Sequence, residues 1–123
     1  MNELELARHL RRGQLNENFR AKIKQGHLFS GWLISFDDRA VSRMATVLAE
    51  LRAGESGAHG GFWICQDNER IELNDSEAVF LLASAITARL ELDQAYLEAR
   101  DEINAATTEE EILAVEIEIG GGS

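Results

Sequence analysis

The sequence lacks proline, has one cysteine, and contains neither a long apolar run nor a secretion signal. Without proline, breaks between elements must be made by glycine and by polar turns. The single Cys65 cannot form an intramolecular disulfide, which fits a reducing compartment. Residues 1–5 are acidic rather than basic-then-apolar, and no apolar run approaches the ~20 residues of a membrane span. These absences predict a soluble, cytoplasmic protein without a membrane-spanning helix.

Basic side chains are scarce, with 12 Lys and Arg against 22 Asp and Glu and a net charge of −10. Residues 1–27 hold six basic and three acidic side chains, so this part carries +3 and the remainder carries −13. Affinity for phosphates comes from Lys and Arg, so the acidic body argues against nucleic-acid binding. Two interpretations of the acidity stay open: it keeps the protein soluble, or it faces a basic partner.

Side chains that catalyse reactions or bind metals are few and scattered. His9, His27 and His59 have no second His or Cys at metal-ligand spacing. Cys65 is interpreted as a small buried hydrophobe, and only a meeting with His59 in the fold would make it a nucleophile candidate. The glycines of residues 54–61 lack the Lys-Ser or Lys-Thr pair of a phosphate loop. We therefore expect no enzyme activity, no metal and no cofactor.

Apolar residues make up 45% of the chain, which is enough for one modest core. Their periodicity predicts the order helix, strand, helix, hairpin, long helix and short helix. This order indicates an α+β protein whose small antiparallel sheet of about three short strands packs against a long C-terminal helix and one or two shorter helices. We expect a basic helical segment at 1–25, the α+β domain at 26–119, and a linker left by cloning at 120–123. A natural glycine-rich tail is the alternative for the last residues.

The first half of the chain contains the breaks that define these elements. Gly13 is predicted to divide residues 4–24 into two helical pieces, and Gly26 to cap the second. Alternating apolar residues indicate one strand over 27–36. Asp37 or Asp38 then supplies an N-cap for a helix that ends at Gly54. The apolar positions assigned to the first segment are Leu4, Ala7, Leu10, Leu15, Phe19 and Ile23.

The second half begins with a tight hairpin. Two short strands, 62–66 and 70–73, flank an Asp67-Asn68 turn. The pairs Asn74 with Glu77 and Thr107 with Glu110 resemble capping boxes and start the last two helices, the first of which runs to about Asn104. The buried face assigned to this long helix is Val79, Leu82 or Ala83, Ile86, Leu90 and Leu97.

Two tryptophans are the most informative remaining side chains. Trp32 and Trp63 either pack between the sheet and the helices, or one of them is exposed as an interface anchor. The basic N-terminal helix is the second candidate surface. The predicted protein-interface residues are therefore Trp32, Trp63, Arg11, Arg12, Phe19 and Arg20.

Several short motifs, in order, resemble a family of small domains of unknown function encoded in tailed bacteriophages and prophages. These features are Gly31-Trp32, Asp37 or Asp38, Arg43, Trp63, the Asp67-Asn68 turn before Ile71 and Leu73, Arg89, Arg100 and residues 103–112. The resemblance covers about residues 18–117, and its most specific pieces are 63–68 and 103–108. A long N-terminal extension that is frequent in the family is reduced here to a short basic segment.

The resemblance implies a phage tail-associated protein, since family members often occur among tail-fibre or tail-fibre-assembly genes. An assembly chaperone or adaptor would bind a tail-fibre protein in the host bacterial cytoplasm, and a minor structural component would remain in the virion tail. An acidic inhibitor that mimics nucleic acid and blocks a host defence protein is the alternative. Homo-oligomerisation through the long helix stays possible in principle, because its apolar stripe could pair with a second copy.

Overall fold

The computed structural model describes residues 1–120, which form four helices and four short strands. The elements are α1 (Glu3–Gln25), β1 (His27–Phe29), β2 (Trp32–Ile34), α2 (Asp38–Arg52), β3 (Phe62–Ile64), β4 (Arg70–Glu72), α3 (Asp75–Ala105) and α4 (Glu109–Ala114). The α+β class and the long C-terminal helix are confirmed. Of the predicted linker at 120–123, only Gly120 belongs to the described residues, and 121–123 lie outside them.

The first hairpin corrects the predicted strand over 27–36. Strands β1 and β2 pair antiparallel, with Phe29 opposite Trp32. The two residues between them, Ser30 and Gly31, have φ angles of +48° and +86°, which are the left-handed angles of a type I′ turn. The alternation of Trp32, Ile34 and Phe36 lies after this turn, so it gave no signal for a break at residues 30 and 31.

The second hairpin is confirmed at the predicted place. Strands β3 and β4 pair antiparallel, with Trp63 opposite Ile71. Asn68 in the turn has a φ of +68°, a conformation that its short polar side chain tolerates. Within residues 1–120 the four strands form two separate two-stranded sheets, so the prediction of one sheet with about three strands was wrong.

Helix starts follow the predicted capping residues with one exception. The Asp37 carboxylate accepts from the Ala40 N–H at 2.9 Å and caps α2. Asn74 and Glu77 form a reciprocal capping box, at 2.8 and 2.9 Å, before α3. The last cap is displaced by one residue from the prediction, because the hydroxyl of Thr108, not that of Thr107, accepts the N–H at the third helical position.

Helix α1 is continuous through Gly13, so the prediction of two pieces was wrong. Glycine in a helix costs about 1 kcal/mol relative to alanine, which lowers stability without ending the helix. Gly26 follows the helix with a φ of +85°, as predicted for a glycine at this end.

The chain divides into two compact units. One consists of Met1–Lys22 and the chain from Glu91 onwards, and the other of Ile23–Leu90. Compactness does not measure independent folding, so the predicted boundary between residues 25 and 26 stays a prediction. We call these the terminal unit and the central unit.

The terminal unit combines a small apolar core with polar contacts. Leu15, Ile103 and Ile112 are fully buried. Arg8 donates to the Ala106 carbonyl at 2.6 Å. Leu10, one of the apolar positions of the first segment, is 57% exposed and does not belong to this core.

The central unit has a larger apolar core, made by both hairpins, α2 and the first half of α3. Its buried members are Ile34, Met44, Leu48, Trp63, Cys65, Leu81, Leu82 and Ala85. The predicted stripe of α3 extends too far, because Leu90 and Leu97 are 62% and 45% exposed. Leu82 from that stripe is confirmed as a core residue.

Candidate functional site

An apolar groove opens at the margin of the central unit's core. Its volume is about 480 Å³, within the range typical of binding pockets. Phe29 and Trp32 line it from the first hairpin, and Ile71 and Leu73 from the second. All four side chains pack against the core but are only partly buried. The groove is therefore the place where the core is incompletely covered by this chain.

Helix α3 supplies the remaining apolar side of the groove. Leu81 is fully buried, whereas the neighbouring Phe80 is 71% exposed. Exposure of a phenylalanine leaves a large apolar surface in water, and aromatic side chains dominate the energetics of interfaces. Phe80 was not among the predicted interface residues. The available signal was an aromatic side chain that does not belong to the predicted buried face of α3.

The polar lining of the groove contains two carboxylates, Glu72 and Glu77. Both side chains are exposed, and Oε1 of Glu72 lies 3.2 Å from Nε of Arg70. The guanidinium of Arg70 in turn covers the ring of Phe62 at 3.8 Å. Because such exposed pairs contribute little, Glu72 remains available to another cation. The groove therefore combines aromatic side chains with negative charge.

Trp63 occupies the closed part of the same core. It is only 6% exposed, and the guanidinium of Arg43 lies 4.8 Å from its ring centre. The alternative that Trp63 packs in the core is therefore confirmed. Its role as a partner contact stays a prediction, and its burial does not support it. Trp32, in contrast, is half-buried and lines the groove, so it remains an interface candidate.

The predicted interface residues on α1 lie in the terminal unit. Arg11 donates to the carbonyls of Leu113 and Val115 at 3.0 and 2.9 Å, and Arg12 donates to Asn104 at 2.8 Å. These hydrogen bonds give both arginines a role within their own unit.

Phe19 stacks on Tyr96 with ring centres 4.5 Å apart, whereas Arg20 is exposed. The four α1 candidates, Arg11, Arg12, Phe19 and Arg20, stay predictions as partner contacts.

A buried histidine anchors the glycine loop in the central unit. His59 is 6% exposed, and its Nε2 lies 2.7 Å from the Leu73 carbonyl. Asp75 accepts from the Ser56 hydroxyl at 2.7 Å and the Gly57 N–H at 2.9 Å, and these bonds hold the pKa of the Asp75 carboxyl below its usual value. The sequence contains no signal for the burial of His59, because the glycine-rich residues 54–61 show no apolar period.

The thiol of Cys65 is poorly suited to nucleophilic attack. Burial, and then the charges of Asp67 and Glu69, raise its pKa, which favours the unreactive protonated form. Its interpretation as a small buried hydrophobe is confirmed.

Two further features of the described residues concern metals and membranes. Among residues 1–120, no group of three or more His, Cys, Asp or Glu side chains is arranged to hold a metal ion. No helix in this part of the chain is both long enough and apolar enough to cross a membrane.

Comparison with known proteins identifies the family but not the activity. No curated protein and no solved structure matches the chain significantly. A family model described as a domain of unknown function, DUF4376, matches residues 7–118. This match covers most of the sequence, including both hairpins, most of α1 and all of α3. The chain therefore belongs to the DUF4376 family, a domain family of unknown function.

Proposed function

We propose that this chain is a protein-binding module that acts as a chaperone or adaptor in the assembly of a phage tail fibre. The observation that carries the binding role is the open groove, in which Trp32 and the 71% exposed Phe80 present aromatic surface. Tryptophan is enriched where binding energy concentrates, and a partner side chain would complete the uncovered margin of the core.

The chemistry of the side chains supports binding rather than catalysis. The raised pKa of Cys65 disfavours a thiolate. His59, the histidine nearest to it in sequence, lies with its Nε2 at 2.7 Å from a backbone carbonyl and is buried. Three carboxylates already have structural roles. Those of Asp37 and Glu77 accept hydrogen bonds at the starts of helices, and that of Asp75 accepts hydrogen bonds from a loop.

The tail-fibre partner comes from the resemblance of the sequence to phage tail-associated domains. A fibre protein that has not yet trimerised exposes apolar segments and unpaired strand edges, which favour aggregation. A small acidic protein that covers such a segment in the host cytoplasm would keep the fibre soluble until it assembles. Retention in the virion tail is compatible with the same surface.

Co-expression tests this role. We expect the tail-fibre protein encoded beside this gene to be recovered in larger soluble amounts when the chain is present. Trp32→Ala should remove the gain, because it removes the groove's largest partly exposed ring. Leu28→Ala is the matched control, since Leu28 is 64% exposed on the same hairpin and does not line the groove.

Equal soluble yield with and without the chain would contradict the chaperone role. A gain that Trp32→Ala leaves intact would instead contradict the groove as its site.

A further inference from the structure

We infer that the groove binds an apolar segment of a protein partner in which a Lys or Arg stands close to the inserted apolar side chain. This inference rests on the proposed binding function and specifies the chemistry of the partner. It follows from three properties of the groove: its aromatic walls, the sign of its charge and the freedom of its carboxylates.

The aromatic walls favour an apolar or aromatic side chain. Phe29, Trp32 and Phe80 line a space of about 480 Å³, and Leu81 closes its inner side. Filling this space would bury the exposed ring of Phe80 and extend the core of the central unit. Burial of apolar area is the main source of binding energy at such a site.

The negative charge of the lining favours a basic residue next to the partner's inserted apolar side chain. Both ionisable residues in the lining, Glu72 and Glu77, are acidic. The whole central unit carries six basic and nine acidic side chains, so its field has the same sign. The two glutamates and the net negative charge of the central unit attract a cation beside the groove and repel a carboxylate in the same place.

Both carboxylates, Glu72 and Glu77, can still bind a cation of the partner. Glu77 accepts a hydrogen bond from the Asn74 N–H through Oε1, which leaves its full negative charge at the rim. Glu72 pairs with Arg70, and both side chains are more than half exposed. Such a pair is worth at most about 1 kcal/mol, so a partner cation competes readily with Arg70.

Peptide titration by calorimetry tests the inference with the intact chain. The probe is an acetylated and amidated pentapeptide, Lys-Leu-Phe-Lys-Leu, with two controls in which both lysines are replaced by glutamine or by glutamate. We expect the basic peptide to bind about threefold to tenfold more tightly than the glutamine peptide at low salt. The glutamate peptide should bind most weakly, and the differences should shrink as salt screens the rim.

Variants locate the charge effect. Glu72→Gln with Glu77→Gln should bring the basic peptide close to the affinity of the glutamine peptide, and Gln at the second position preserves the capping box. Glu55→Gln with Glu69→Gln makes the same change of charge at exposed positions outside the lining and should leave the preference intact. Circular dichroism checks that each variant is folded.

The outcomes separate this inference from the proposed function. Equal binding of the basic and glutamine peptides, with both lost in Trp32→Ala, overturns the charge selection and leaves groove binding in place. Absence of binding by all three peptides overturns the inference. If sedimentation of the chain alone shows a dimer that Trp32→Ala dissociates, the occupant is a second copy and the inference is also wrong.

Discussion

Each of the two hairpins in the central unit has one tryptophan in a strand, and the two side chains lie in different environments. Trp63 in β3 is 6% exposed and covered by Arg43, whereas Trp32 in β2 is half-buried beside an open groove. The same residue type thus serves the closed part of the core in one hairpin and the open margin in the other. We therefore expect Trp63 to contribute mainly to stability and Trp32 mainly to the proposed recognition.

The largest expected effect is the loss of Trp63. Trp63→Ala removes a buried ring from the main core cluster and leaves a cavity among its members. We expect the free energy of unfolding to fall by about 3–5 kcal/mol, measured by urea denaturation. A loss below about 1 kcal/mol would remove the distinction between the two tryptophans.

Trp32→Ala should cost less stability, because its ring is only partly buried at the margin of the same core. We expect the free energy of unfolding to fall by about 1–2 kcal/mol in the same denaturation experiment. Binding to the partner should be affected more than folding. If Trp32→Ala proved as destabilising as Trp63→Ala, then Trp32 would be a core residue and not a recognition residue.

The loop between α2 and β3 gives a smaller, pH-dependent effect. The Ser56 hydroxyl and the Gly57 N–H lower the pKa of Asp75 in the fold, so its ionised form stabilises the protein. This contribution is complete above the ordinary Asp value, near pH 4, and is lost as pH falls through the lower folded pKa. Asp75→Asn should therefore differ from the parent protein in thermal stability at pH 6 by more than it does at about pH 2.

A constant difference between the two proteins over that range would contradict this assignment to Asp75. His27, whose pKa is lowered by burial, also costs stability as pH falls below its usual value of 6.5, but it is present in both proteins, so its contribution cancels in the difference.

The smallest effect concerns the cover over Trp63. Arg43→Ala removes the guanidinium that lies 4.8 Å from the ring centre. We expect a loss of about 0.5–1 kcal/mol and greater quenching of Trp63 fluorescence by acrylamide in the Trp32→Phe background. Arg39→Ala on the same helix is the control, because no ring contact is seen for Arg39 within residues 1–120.

Local signals in the sequence predicted most of the elements, because each signal satisfies backbone groups of its own segment. Asp37, Asn74 with Glu77, and the Asp67-Asn68 turn all act where predicted. The Ser30-Gly31 turn was missed because the alternation of Trp32, Ile34 and Phe36 lies entirely after it, and the residues before it were assigned to the same strand. Spacing between nearby residues predicts a turn or a cap, but it does not determine how the two hairpins pack in the core.

The groove itself could not be predicted from spacing. Its walls come from residues far apart in sequence, such as Phe29, Ile71 and Phe80, and only the tertiary packing brings them together. Trp32 was identified as a candidate because of its residue type, which gave the same weight to Trp63. Exposure distinguishes the two, and exposure depends on which parts of the core the helices cover.

Fluorine NMR of the chain labelled with fluorotryptophan shows which tryptophan responds to the partner, because its two tryptophans give one resonance each. Single Trp→Phe variants assign the two signals, and unlabelled tail-fibre protein is then added. The proposed role of the groove requires the Trp32 resonance to shift or broaden while the Trp63 resonance moves little. A complex that forms without changing the Trp32 resonance, or no complex at all, would contradict it.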